Sequence, residues 1–181
     1  MAARRGSDGV AVTVRRLTTA DARPYQTIRE EALEAAPAAF AASPEDDLAR
    51  SADFVVRSLS DPEQAVFGAF APDIVGMVGV YRDRHVKAAH ICHLFGLYVA
   101  REHRSSGVGR RLVTAALEFA RSRPGVSQVH AGVTDRAPEA AALYRDLGFA
   151  AWGVEPDALR VAGESIAETH LILALREPGV D

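Results

Sequence analysis

The sequence predicts an α/β (α+β) domain: a mixed, mostly antiparallel sheet of about six to seven strands flanked by about four helices. Three observations carry this expectation. Strand-like and helix-like segments follow in the order β-α-α-β-β-β-α-β-α-β-β. No internal repeat or low-complexity block interrupts them. The 181 residues, 48% of them apolar, suffice for one sizeable core, so residues 10–177 read as a single domain behind a loose tail at 1–9.

Each element has its own signal. Val10 to Leu17 alternates Val12 and Val14 with Thr13 and Arg15, the pattern of a half-buried strand. Thr19 or Asp21 caps the helix that follows, with the stripe Tyr25, Ile28, Ala32 and Leu33, and Pro37 ends or bends it. Ser43-Pro44-Glu45, a cap followed by proline and acids, opens a second helix that carries Leu48, Phe54 and Val55 and fades by Ser60-Asp61-Pro62. Ala65 to Phe70 and Ile74 to Tyr81 are strands joined by the turn Ala71-Pro72-Asp73. Arg82 to Lys87 is a polar hairpin, and Ala89 to Val99 a longer strand. Leu112, Ala115, Ala116, Phe119 and Ala120 mark a helix ending before Pro124-Gly125. Ser127 to Val133 is a strand. Ala140, Leu143, Tyr144 and Leu147 recur at helical spacing, with Gly148 as the stop. Trp152 lies in a short strand, Pro156 to Gly163 is loop, and Glu168 to Leu175 closes the sheet.

Composition narrows the partners. A net charge of −3 offers no global attraction to nucleic acid, and no apolar run approaches a membrane span of ~20 residues. The start, MAARRGSDG, has arginines without an apolar run behind them, so it does not read as a signal peptide. One cysteine, Cys92, cannot form an internal disulfide and suits a reducing cytoplasm. The six histidines and this cysteine show no metal-ligand spacing, so no metal is expected.

The stretch His103 to Leu112, HRSSGVGRRL, joins an apolar strand to a helix. Successive N–H groups at a helix start form a site for phosphate oxygens, and Gly107 and Gly109 let backbone approach a ligand without a Cβ in between. Arg104, Arg110 and Arg111 add charge complementarity. The same glycines equally suit a plain tight turn. A Walker loop is excluded because its lysine and hydroxyl are missing, and a Rossmann loop because its third glycine is.

Arg104-Ser105-Ser106-Gly107-Val108-Gly109 matches the signature [RQ]-x-x-G-x-[GA], and the strand Leu97-Tyr98-Val99 precedes it. Ala140-Ala141-Ala142-Leu143-Tyr144-Arg145-Asp146-Leu147-Gly148-Phe149 is similar to A-x-x-L-Y-x-x-x-G-F. With Arg29-Glu30-Glu31-Ala32-Leu33 through Phe40, the chain resembles the GNAT superfamily of N-acetyltransferases over nearly its whole length. The resemblance implies the GNAT fold, with strands four and five splayed. It implies acetyl-CoA as cosubstrate, its pyrophosphate on Arg104, Ser105, Ser106, Gly107, Val108, Gly109 and Arg110. The pantetheine arm would lie along the main chain of Leu97, Tyr98 and Val99, and Tyr144 would stand near the sulfur. Ala137 departs from the family, which often has asparagine there.

Acetyl transfer to an amine by direct attack in a ternary complex needs a neutral nucleophile, a polarised carbonyl and a proton for the thiolate. The resemblance gives the acid role to Tyr144, which otherwise fills the stripe with Leu143 and Leu147. A main-chain N–H near Val99 would polarise the carbonyl. His93 stands where a branch of the family carries its general base, and an imidazole can take that proton; otherwise it is a histidine satisfied within the sheet. Glu31, His90 and His170 are the other candidate bases. Alternation puts His170 on the same face as Glu168. His85 and His103 sit in polar loops. Glu30, Glu31, Glu34, Glu45, Asp46 and Asp47 favour a cationic amine acceptor, a small molecule or a protein amino group, unless they are simply solvated. The expected protein is a cytoplasmic monomer or homodimer that binds neither nucleic acid nor membrane. The alternative is a GNAT-like acyl-CoA-binding sensor or interaction module without catalysis.

Overall fold

The computed structural model describes residues 11–175. The N-terminal tail, Val10 and residues 176–177 lie outside them. The chain runs β1 (Thr13–Arg16), α1 (Ala22–Ala35), α2 (Ala52–Ser60), β2 (Gln64–Phe70), β3 (Ile74–Arg82), β4 (Ile91–Val99), α3 (Val108–Arg121), β5 (Gln128–Thr134), α4 (Pro138–Asp146), β6 (Ala150–Val161) and β7 (Glu164–Ala174). The seven strands form one sheet in the order β1-β2-β3-β4-β5-β7-β6, antiparallel except for the β4–β5 pair. This is the expected element order and the expected α/β fold.

The core explains why β2 and β3 are apolar without alternating. Val78 and Val80, both wholly buried, lie on the face that packs against α3, while Met77 lies on the opposite face with its cross-strand partner Tyr98. Strands covered by helices on both sides lose their polar face. The α1 stripe Tyr25, Ile28, Ala32 and Leu33 is buried as expected, as are Leu112, Ala116, Phe119 and Ala120 of α3. Asp21 fixes the start of α1. Its carboxylate accepts from the Thr18 N–H (2.8 Å) and takes both Arg15 nitrogens at 2.7 and 2.8 Å. That ion pair, helped by the Thr18 bonds, holds the Asp21 carboxyl far below the usual carboxylate range despite its burial.

Two expected elements are corrected. The second helix starts at Ser51, not Ser43. Asp46 Oδ1 accepts from the Ser43 N–H (2.7 Å) and closes a turn there, whereas Ser51 Oγ accepts from Phe54 N and caps α2. Leu48 consequently lies outside the helix, 65% exposed, and the buried α2 residues are Val55 and Leu59. Pro156 to Gly163 is likewise not a loop. β6 continues to Val161 and turns through Ala162 and Gly163, both left-handed at φ 51° and 84°, the backbone a tight two-residue hairpin turn requires. Pro156 is tolerated because the β6–β7 register shifts between Glu155 and Leu159.

Two irregularities shape the centre. β4 and β5 pair only at Ile91–Gln128, Cys92–Val129 and His93–His130, and beyond that point the ladder stops. On its other edge β4 bulges: Phe95 opposes Gly79 and Tyr98 opposes Met77, so Gly96 and Leu97 together face Val78. Gly96 has φ 65°, a conformation that favours glycine.

Candidate active site

The gap between the ends of β4 and β5 is bordered on one side of the sheet by α3 and α4, on the other by α1. On the α3 side, Arg104, Ser105 and Ser106 lead into Gly107, which stands at the N-cap of α3 with φ 83°. Ser105 is also left-handed, at φ 59°. Left-handed residues within a turn allow successive N–H groups to converge, the backbone of an anion-binding nest. A Cβ built at Gly107 would meet no atom within 4 Å, so that side of the loop is open. Gly109 differs. Its Cβ would lie 3.3 Å from Leu143 and 3.8 Å from Val99, so this glycine lets α3 sit close to α4 and β4.

The loop's cations are partly engaged. Arg104 Nε donates to the Val99 carbonyl (2.9 Å), and its guanidinium lies 5.7 Å from the Tyr98 ring centroid. That bond occupies one main-chain acceptor of the stretch Leu97 to Val99. Arg110 reaches Asp146 (3.2 Å), and Arg111 donates to the Val12 carbonyl (2.8 Å). Val108 is buried beneath the loop, while Ser106 Oγ donates to His103 O (2.6 Å). Tyr144 on α4 is 4% exposed and packs edge-on against Phe149, ring centroids 5.1 Å apart. Burial holds its phenol well above the ordinary tyrosine range, so its proton is retained at neutral pH.

The α1 side gathers the candidate bases along one sheet face. Tyr98 Oη donates to Glu31 Oε1 (2.9 Å), tying α1 to β4 just past the bulge. Burial and this carboxylate raise the Tyr98 phenol. His93 stacks on Tyr81 (5.0 Å, 20°) and meets His130 edge-on at 5.6 Å. Its Nε2 stands 3.3 Å from Asp83 Oδ2. A carboxylate only accepts, so Nε2 carries the hydrogen and Nδ1 of the neutral ring keeps its lone pair. Burial, together with His93 and His90, depresses the His130 imidazole and favours its neutral form. Further along, His170 stacks with Trp152 (5.3 Å) beside Glu155 and Glu168.

The structure therefore groups Glu31, His93 and His170 on one face, with Tyr144 on the opposite side of the sheet. His90 is exposed where β4 begins, with its carbonyl accepting from Ser127 N. Burial pushes the Cys92 thiol up to about 11, which leaves it without thiolate at neutral pH. Several acids expected to receive the acceptor are engaged elsewhere. Asp47 pairs with Arg29 at 3.0 Å, both nearly buried, and Asp46 closes the Ser43 turn. Glu30 and Asp47 line a cavity of about 300 Å³ between α1 and the segment before α2. Asp83, His130 and Trp152 were not expected at the site. Their only sequence signal is strand alternation, which shows a common face but not which strands lie side by side.

Similar proteins are known. The model of the Acetyltransferase (GNAT) family matches residues 25–149. A search of curated proteins finds no match to the sequence. Among solved structures, an acetyltransferase of the GNAT family from Streptococcus pneumoniae superposes with a TM-score of 0.80 at 20% identity, over 91% of this chain and 100% of that one. yncA from Salmonella typhimurium, solved with its cofactor acetyl-CoA, gives 0.79 at 20% identity over 94% and 98%. A ribosomal-protein-alanine N-acetyltransferase from Brucella melitensis gives 0.76 at 24% identity over 90% and 99%. With a family match spanning both signatures and the splayed β4–β5 pair, the chain belongs to the GNAT family of acetyltransferases.

Proposed function

We propose that the protein transfers the acetyl group of acetyl-CoA to a primary amine by direct attack. The observation that carries this reading is the gap between β4 and β5. It opens beside the Gly107 turn on one side and beside His93 and Glu31 on the other. The open space at Gly107 and the first turn of α3 suit a pyrophosphate, with a helix dipole and free N–H groups facing the anion. Unpaired main chain past Leu94 on β4 suits the amide-bearing pantetheine arm, which can add to the exposed edge like a strand.

The acceptor then enters from the α1 face. Glu31, fixed by Tyr98, attracts its ammonium. His93 takes a proton through Nδ1 while Asp83 holds Nε2 and stabilises the imidazolium that forms. The amine nitrogen bonds to the carbonyl carbon, whose oxygen is polarised by a main-chain N–H near the β4 bulge, and the carbon–sulfur bond breaks. Tyr144 gives its proton to the departing sulfur and recovers one through solvent from His93. The raised Tyr144 phenol supports this order, because an acid must still carry its proton when the thiolate forms.

The experiment is an acceptor screen with acetyl-CoA, reading released thiol and product mass together. Amine-dependent thiol release with a product 42 Da heavier, one acetyl for one hydrogen, is the expected result. Cofactor binding without turnover on any amine would favour a sensor.

A further inference from the structure

Three strands place a second polar group on the α1 face beyond His130. Thr134 of β5, Glu168 of β7 and Glu155 of β6 are direct cross-strand partners and share one side of the sheet. The adjoining row is Gly132, His170 and Gly153. His170 therefore stands between two residues without side chains. The Glu168 carboxylate lies over Gly132, where a Cβ could not fit, and the space above Gly153 is open. Trp152 is the extra residue where the β6 register shifts between Ala151 and Gly153; it is 61% exposed and laid against His170. Carboxylate oxygens of Glu155 and Glu168 lie within 4.8 Å of each other and of a His170 ring nitrogen.

An acidic cluster alone need hold nothing. Here Thr134 supplies a separate observation. It is only 5% exposed, and its Oγ1 has no hydrogen-bond partner among the described residues. A buried hydroxyl left unpaired costs about 1–3 kcal/mol. It stands in one row with Glu168 and Glu155, so a ligand bound by those carboxylates would complete it.

We infer that Thr134, Glu168 and Glu155 hold a primary ammonium, with the face of Trp152 beside it. An ammonium has three N–H donors, and this row offers three acceptors. The indole adds cation–π attraction. A hydroxyl with two carboxylates and an ammonium-sized hollow suits this cation better than a transition metal, which prefers further imidazole or thiolate ligands.

This ammonium is not the one that reacts. Two carboxylates favour the charged form, and a protonated amine is no nucleophile. The Gly132 row lies two residues past the last β4–β5 pair, about 7 Å along β5 from where the strands part. A few methylenes bridge that distance to the gap where transfer would occur. The acceptor class is accordingly a short α,ω-diamine, acetylated at one end and held by the other. This rests on the amine-acceptor reading above and specifies it.

The test compares 1,5-diaminopentane with n-pentylamine by calorimetry, on protein saturated with unreactive desulfo-CoA. The diamine should bind at least ~10-fold more tightly, and the variant E155Q/E168Q should erase the difference. If that variant lacks a cooperative melt, Trp152→Leu at the exposed indole should narrow the difference several-fold instead. Equal binding of the two amines to the wild type, no measurable diamine binding at millimolar concentration, or a difference that survives every variant overturns the inference. So does tight Zn²⁺ binding that the variant abolishes while no diamine preference exists. Mass analysis separates the two levels. Selective diamine binding without acetylated product leaves the subsite standing and removes the transferase reading. Equal acetylation of both amines does the reverse.

Discussion

The α3 side of the sheet and the β5–β7–β6 side are assembled from parts at different separations in the chain. On the α3 side, strand end, glycine turn and helix start are contiguous from Leu97 to Arg110, and only Tyr144 comes from elsewhere. On the other side, Glu31, Asp83, His93, His130, Trp152 and His170 come from α1 and the strands. A contiguous segment must satisfy its own backbone geometry, so Gly107 has to be left-handed whatever surrounds it. A face built across strands has no such local constraint. It can be rebuilt one residue at a time while the donor turn stays fixed, which is how one fold comes to serve different acceptors.

The largest test of this contrast is Tyr144→Phe. The ring and its contact with Phe149 remain, and only the hydroxyl is lost. A general acid removed in this way should lower kcat by about 10²-fold, with acetyl-CoA affinity within a factor of two of wild type. Unchanged kcat would make Tyr144 a packing residue and leave the donor side with binding alone.

His93→Ala tests the opposite face. Only the neutral imidazole accepts a proton, so kcat/KM should climb with pH in the wild type and level off once the ring is neutral. The variant should lose that limb and fall roughly 30-fold on the plateau. The acceptor's own ionisation can imitate the limb, so the profile is repeated with a second amine of different basicity. An inflection that follows the amine in the wild type removes His93 as base and passes the role to Glu31 or His170.

The same division governs what the sequence disclosed. Element order and both signatures were legible because they depend on spacing within a segment. The splay was legible only through the resemblance, and the structure bears it out in a β4–β5 ladder that ends at His93 and His130. Ser43 was misread because a serine followed by proline and acids caps a helix or closes a turn equally well. Asp46, turned back to the Ser43 N–H, decided for the turn. Pro156 suggested a loop because proline cannot join a regular ladder, but a register shift in β6 accommodates it. Asp83 and Trp152 were invisible as site residues. Asp83 reads as one charge in a polar hairpin until β3 places it against His93, and Trp152 reads as one aromatic in a strand until the bulge lays it on His170.

Gly107→Val measures how much the donor turn depends on its backbone. No neighbour blocks a side chain there, so any effect comes from the left-handed backbone and from a branched group entering the open space. Acetyl-CoA should bind at least ~10-fold more weakly by calorimetry, equivalent to ~1.4 kcal/mol. Gly109→Ala is the matched control, since its Cβ would press on Leu143 rather than enter that space. It should lower the melting temperature more than Gly107→Val does, and cofactor affinity less. Unchanged affinity in folded Gly107→Val would remove the phosphate site from this turn.

The smallest expected effect belongs to Asp21, which sets the α1 helix that carries Glu31. Asn at this position keeps the shape and can still accept from Thr18, but it loses the charge that grips Arg15. Arg15 is half exposed, so solvent screens the pair and the cost should be about 1 kcal/mol, read as a melting-temperature drop of ~2–4 °C. The sign of the pH dependence is set by the lowered carboxyl. The folded state holds Asp21 ionised below the point where the unfolded chain, near ~3.9, takes up its proton. Its stabilisation is therefore complete above about pH 5 and is lost as pH falls through the folded value. Wild type and Asp21→Asn should differ by a constant amount from pH 5 to 8 and approach each other only in acid. Acetyl-CoA affinity should not change, because α1 and the glycine turn lie on opposite faces of the sheet. A gap that widens on acidification would mean that Asp21 is protonated in the fold. A loss of acetyl-CoA affinity would mean that the two sides of the sheet are coupled through β4, and the independence of donor turn and acceptor face would fail at that strand.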